Sequence, residues 1–343
     1  MTRPVITFVN NRSGTGNTFL VYHLSWMLAE SDKRVVVVDL DPQAGLTTAF
    51  LDEEKLETIW EASGGPNTIF KAIEPLIEGI NPAAPVLQKI SSNLYLLPGD
   101  ISLSRIEEIL AANWQAFLNS SHPDLPLGIL TAFWKIMQTA AEMVDADILL
   151  VDTGPGLGAI NHSALIASDF IVIALSTDII SLSGLKSLGI ALHSWRCLWK
   201  RKLETLQQPG ILLPRGDMKP AGYVCRQSNI RWQRPAIVLD KWINRVPAIY
   251  RESILCKPPE DLLIANDPCC LAIVNPYRSL ISIAIDHRKP IFKLTSADGA
   301  IGSHAGAVQE SLRNFKELSG KISAIAETAS DRKKIIEEPP DVG

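Results

Sequence analysis

The 343-residue chain has five cysteines, and their placement offers no recognisable chemistry. Cys197, Cys225, Cys256, Cys269 and Cys270 form no CxxC pair and have no histidines at zinc-finger spacing, which excludes a structural zinc module. An odd, unspaced set fits reduced thiols better than a disulfide framework, so a cytoplasmic protein is expected. Long apolar runs are also missing. Nothing approaches the roughly 20 apolar residues of a membrane span, and the apolar stretch Val5–Val9 is far too short for the core of a signal peptide. Nor is there an overall basic excess: the net charge is -4, so no global field draws the chain to nucleic acid or a membrane surface. There is no internal repeat, and aromatic residues are scarce at 6%.

Apolar material is plentiful. Hydrophobic residues make up 46% of the chain and mean hydropathy is +0.12, sufficient for a substantial core. Short β-branched runs alternate with longer amphipathic stretches, the pattern of βαβ units around a mostly parallel, twisted sheet with helices on both faces. Strands are expected at 5–9, 34–39, 93–97, 147–152, 170–175 and 221–225. Helices are expected at 19–30, from about 102, and at 130–143, 181–206 and 305–327. Pro123 and Pro126 suggest a loop over 114–128. Residues 329–343 are charged and contain prolines, and are expected to be unstructured beyond one α/β domain at 1–328.

Three segments carry chemistry. Asn10-Asn-Arg-Ser-Gly-Thr-Gly-Asn-Thr18 lies between the first strand and helix, where backbone N–H groups and a positive helix end can face phosphate. Such Gly/Ser/Asn loops are also common as plain βα connections. Asp39-Leu-Asp41-Pro-Gln43 sets two carboxylates at the carboxyl end of a buried strand, the edge where ligands of doubly wound sheets bind. Asp147-Ile-Leu-Leu-Val-Asp152-Thr-Gly-Pro155 ends another strand on an aspartate. Carboxylates so placed suit a hard cation such as Mg²⁺, although aspartates also cap turns and helices.

Together these segments resemble the ParA/MinD family of deviant Walker-A P-loop ATPases, whose loop reads K-G-G-x-G-K-T. The second family motif, D-x-D-P-Q, is matched throughout by Asp39–Gln43, and the third with one change by Asp152–Pro155. Family-like stretches at 93–100, 181–186 and 278–292 extend the resemblance over about residues 4–325. It implies an ATP- or ADP-binding site with Mg²⁺. Ser13, Gly14, Thr15, Gly16, Asn17 and Thr18 would form the phosphate loop, and Pro276 would lie in the base-contacting turn. Thr18 would ligate the metal directly, and Asp39 and Asp152 through waters. Asp41 would orient the attacking water. The resemblance further implies an ATP-sandwiched homodimer in which Arg12, replacing the first loop lysine, reaches the partner's phosphates.

Asn17 stands where the family has its second lysine. An amide supplies no cation, and phosphoryl transfer depends on such electrostatics. Losing one buried charge partner commonly costs about 2–5 kcal/mol, enough to slow hydrolysis roughly several hundredfold or more. Two functions follow: an ATP-dependent switch for partitioning DNA or cargo with weak or absent hydrolysis, or a non-hydrolysing pseudo-ATPase module that binds a protein partner. No membrane partner is expected, because the C-terminal segment lacks a broad apolar face.

From His193 to Arg251, twelve Lys/Arg face only three Asp/Glu, with Trp195, Trp199, Trp232 and Trp242 interleaved. Such a segment is the electrostatic footprint of non-specific DNA binding, with Arg226, Arg231, Arg234, Lys241 and Arg245 as candidate contacts. It is also what separate solvated helix faces look like. Reversing Arg231, Arg234 and Arg245 to Glu is expected to abolish salt-sensitive retention on a DNA column; unchanged retention would reject the assignment.

Overall fold

Two nearly continuous β-branched runs, β1 (Val5–Val9) and β2 (Val35–Asp39), are buried along their whole length, as strands covered on both faces must be. In the computed structural model, which describes residues 2–61, 65–121, 123–206, 212–226, 242–277 and 279–337, they lie near the middle of one sheet. The remaining strands are β3 (Gln88–Lys89), β4 (Leu94–Leu97), β5 (Ile148–Asp152), β6 (Phe170–Ser176), β7 (Lys219–Arg226) and β8 (Cys270–Val274). Their order is β3-β4-β2-β5-β1-β6-β7-β8, and every neighbouring pair is parallel except β3–β4.

Side chains alternate across the pleat and build two core layers. Val5 and Val9 of β1, with Val36, Val38, Leu149 and Val151, face one layer. Ile6 and Phe8, with Val35, Val37, Ile148 and Leu150, face the other. The second layer is covered by α1 (Asn17–Glu30), α2 (Gly45–Phe50), α3 (Glu53–Glu61) and the helix Ser303–Glu337, whose Phe315, Leu318 and Ile322 are buried there. The first layer takes α4 (Ile69–Ile77), α5 (Glu107–Asn119), α6 (Asp124–Leu130), α7 (Ala132–Met143), α8 (Ala159–Ile166) and the long α9 (Ile179–Thr205). With this parallel order, the loops after β1, β2 and β5 all leave from the same edge of the sheet.

Several stretches differ from the sequence expectation. Residues 114–119 continue α5, because Leu110, Trp114 and Phe117 keep helical spacing into the core. Pro126 then lies in the first turn of α6, where its missing N–H is not needed. The edge strands β3 and β8 carry no alternating pattern long enough to announce them; each is set by pairing to its neighbour. The terminal helix runs on to Glu337, so 329–337, expected to be unstructured, is helical. Beyond Gly320 no glycine or proline interrupts the chain until Pro339, and a helix can propagate through it.

Close packing of α9 depends on Gly189. A Cβ there would come within 2.1 Å of the Ser253 carbonyl oxygen on the helix Val246–Ser253. Gly189→Ala is therefore expected to lower stability by about 1–3 kcal/mol, seen as an earlier midpoint in urea denaturation; an unchanged midpoint would mean the two helices separate freely.

Candidate functional site

At the end of β1 the chain turns through Asn10–Gly16 before entering α1. Gly14 and Gly16 take positive φ of 78° and 90°, a region open to glycine at no steric cost. Gly16 is the residue before the helix and offers no side-chain cap, and the first turn of α1 holds no acidic residue. The helix thus presents free N–H groups and the positive end of its dipole, with no carboxylate of its own to neutralise them. Arg12 N–H to Asn10 Oδ1 (3.3 Å) and Gly156 N–H to the Asn10 carbonyl (3.2 Å) hold the loop in shape.

β2 and β5 are paired so that their last residues, Asp39 and Asp152, stand side by side. Both are completely buried. Asp39 accepts from Thr47 N–H (2.8 Å), Thr47 Oγ1 (2.7 Å) and Asp41 N–H (3.1 Å). Burial nonetheless pushes its carboxyl up to about 6, against those hydrogen bonds. Asp152 is pushed well above the usual carboxylate range, first by burial and then by the charge of Asp39, with partial relief from Thr18 and Asn17. Its Oδ2 is buried without a hydrogen-bond partner.

Asn17 is buried and turned inward. Its Nδ2 donates to the Phe8 carbonyl (2.8 Å), Asp152 Oδ1 (2.9 Å) and the Thr153 carbonyl (3.2 Å), while its Oδ1 has no partner. The amide ties α1 to β1 and β5 and adds no charge to the loop. Thr18 lies beside Asp152 and Gly45, and Thr15 is buried with Oγ1 on the Arg12 carbonyl (3.5 Å). Ser13 and Gly14 are exposed. Asp41 closes a turn by accepting from Gln43 N–H (2.9 Å).

The carboxylates are hemmed in by neighbouring loops. A Cβ on Gly99 would meet Asp39 Cγ at 2.9 Å, and one on Gly154 would meet Asp41 Oδ1 at 2.9 Å. Gly99 N–H also donates to Thr47 Oγ1 (2.8 Å), joining the end of β4 to the group that holds Asp39. Sequence reasoning missed Thr47, which belongs to no motif, and gave Gly99, within the family-like stretch 93–100, no role; only the fold brings both to Asp39.

Arg12 is tied to the start of α9. Its guanidinium pairs with Asp178 Oδ2, and Asp178 Oδ1 caps α9 by accepting from Ile180 N–H and Ser181 N–H (both 3.0 Å). Pro276 follows β8 in a turn whose Tyr277 ring stacks on Phe19 in the first turn of α1, so this turn does lie beside the loop.

The basic segment divides. Lys200, Arg215 and Lys219 gather around Asp217. Lys202 donates to the Leu118 and Ser120 carbonyls, Arg196 to the Met218 carbonyl, and Arg251 pairs with Glu260. Trp199 is fully buried in the core, and Trp195, half-buried, packs against that core and stacks on His162. Arg245 lies over the Trp242 ring. Arg226, at the end of β7, is half-buried against Gly16 and Phe19, apart from the surface with which the sequence grouped it. Arg231, Arg234 and Lys241 lie outside the described residues.

The donor set fits a hard divalent cation brought in with a phosphate ligand. Asp39 and Asp152 repel each other in a dry setting, and Asp152 Oδ2 is orphaned. No group of three His, Cys, Asp or Glu converges on one cation position among the described residues. Phosphate oxygens, a Thr18 hydroxyl and waters would therefore have to complete the shell.

The chain resembles known proteins in sequence and in fold. The family profile described as an AAA domain matches residues 3–205. A virulence-plasmid ParA family protein of Chlamydia psittaci is 29% identical over 53% of this chain and 61% of its own length. The chain spans 41–62% of the length of three curated relatives. Among solved structures, a protein from Corynebacterium diphtheriae has a TM-score of 0.63 at 20% identity, covering 83% of this chain and 97% of that one. A McdA variant of Cyanothece in complex with ATP has a TM-score of 0.61 at 15% identity, covering 93% and 97%. Both share the fold.

Without ligand, the native protein binds protons at Asp39 and Asp152 more readily than the unfolded chain does. Stability should therefore fall as pH rises from about 4 through about 6, where Asp39 ionises. Asp152→Asn removes one charge of the pair. It is expected to melt above the wild type at pH 7.5, by about 1–3 kcal/mol, with the advantage fading towards pH 4; a lower melting temperature at pH 7.5 would show that the charges are already compensated.

Proposed function

Because this chain belongs to the ParA/MinD-like family of P-loop ATPases, we propose that it is a nucleotide-dependent switch. It binds ATP or ADP with Mg²⁺ at the α1 loop, dimerises around ATP, and serves to position DNA or another cargo with weak or absent hydrolysis. The observation that carries this function is Asn17. At the place of the phosphate-binding lysine its donors are spent on Phe8, Asp152 and Thr153, while the helix end beside it stays open. Binding needs the open helix end; rapid hydrolysis needs a cation that Asn17 does not supply.

Thr18 would hold Mg²⁺ directly and Asp39 and Asp152 would orient its waters. The metal would supply charge neutralisation of the phosphates. Asp41, in its turn against Gly154, would orient the attacking water. The backbone N–H groups of Ser13–Thr18 would cradle the phosphates. A partitioning role draws support from the relative named as a plasmid ParA family protein. The second function, a non-hydrolysing module for a protein partner, is favoured by Arg12: the one charged side chain of the loop is already paired, with Asp178.

Calorimetric titration with Mg²⁺-ATP and a phosphate-release assay separate these possibilities. Wild type is expected to bind Mg²⁺-ATP and to release phosphate little faster than Asp41→Ala. Asn17→Lys should tighten ATP binding by about tenfold or more. Absence of affinity for both ATP and ADP would reject the switch, and no gain from Asn17→Lys would mean that Asn17 is not what weakens the site.

A further inference from the structure

The phosphate loop lacks its lysine, yet a cation does reach it from the opposite side. Arg226 is the last residue of β7, paired in register with Ser176 of β6 and Val274 of β8. Its side chain runs back over the start of α1. The Cδ and Nη1 atoms both lie 3.0 Å from the point where a Cβ on Gly16 would sit, and the guanidinium is 5.5 Å from the centroid of the Phe19 ring. Gly16 is thus required twice: its φ of 90° turns the loop, and its missing side chain makes room for the arginine.

Packing accounts for the stem of Arg226 and not for its head. Lying over Phe19 gives the guanidinium a cation–π contact, which offsets only part of the loss of water around a charge. Burial lowers its proton affinity. Among the described residues it forms no ion pair, whereas Arg12, Arg105 and Arg251 each have a carboxylate. A half-buried guanidinium with unspent donors, beside an uncapped helix N-terminus, is a setting that asks for an anion. DNA is the less favoured anion: the group lies against Gly16 and Phe19 instead of joining the Asp217 cluster or Arg245.

We propose that Arg226 is a phosphate-binding residue of the nucleotide site, supplying from the end of β7 the positive charge that Asn17 does not supply from within the loop. This rests on the nucleotide-binding function above and adds which side chain bears the charge. Guanidinium donors can grip phosphate oxygens in pairs, which a lysine cannot, so the substitution of source would also change the geometry of binding. It would anchor the nucleotide without recreating the lysine's position, consistent with tight holding and slow turnover.

The test is calorimetric titration of the full chain with Mg²⁺-ATP, Mg²⁺-ADP and adenosine, using wild type, Arg226→Gln, Arg226→Lys and the double variant Arg226→Gln with Asn17→Lys. Arg226→Gln is expected to weaken ATP and ADP by about 10- to 100-fold and leave adenosine unchanged. Arg226→Lys, which keeps stem and charge and guards against misfolding, should lose less, and the double variant should recover much of the loss. Wild-type affinity for ATP in a folded Arg226→Gln protein would overturn this proposal alone and leave the nucleotide-binding function standing. An equal loss for adenosine would also overturn it, because the residue would then serve the nucleoside. Absence of ATP and ADP binding by the wild type would overturn both.

Discussion

Two carboxylates side by side in a dry place constrain this molecule more than any other feature. Asp39 and Asp152 end adjacent strands in register, and neither reaches water. Their mutual repulsion is a cost that a packed hydrophobic pair would not carry. The fold accepts it by surrounding Asp39 with three donors and setting the Asn17 amide and Thr18 against Asp152, and the compensation is incomplete on Asp152. Thr47, Gly99 and Gly154 are placed as they are because the carboxylates must be held tightly while still being approached.

Seen from the carboxylates, Asn17 has a structural role as well as a missing charge. Its Nδ2 is the hydrogen-bond donor to Asp152 Oδ1 and also joins α1 to the ends of β1 and β5. A lysine at that position would offer an ammonium to the same oxygens or to phosphate. The amide commits to the first use and leaves the charge balance to groups that arrive from elsewhere. Two arginines flank the loop unequally: Arg12 is engaged with Asp178, and Arg226 lies against Gly16 and Phe19.

The strands and the segments 10–18, 39–43 and 152–155 could each be read from the sequence because each is local; their meeting is made by the pairing of β1 and β2 with β5. A β-branched run followed by glycine or aspartate gives both a strand and what lies at its carboxyl end. Edge strands could not be read so easily: β3 is two residues long, and β8 depends on β7 for its definition. Helical residues 114–119 were hidden by Pro123 and Pro126, which restrict backbone after α5 without reaching into it. Charge counting over 193–251 grouped residues by position along the chain. In the fold, Arg226 follows its strand to α1 while Lys200, Arg215 and Lys219 converge on Asp217. Long side chains of one sign report composition; where each head goes is decided by which strand or helix end carries it.

Asp178 divides its two oxygens between separate tasks. Oδ1 caps the 27-residue α9, and Oδ2 holds Arg12. Detaching the arginine would cost the helix nothing at its N-terminus, since the capping bonds use the other oxygen. The link between loop and helix can therefore be removed without removing either capping bond of the helix that carries it.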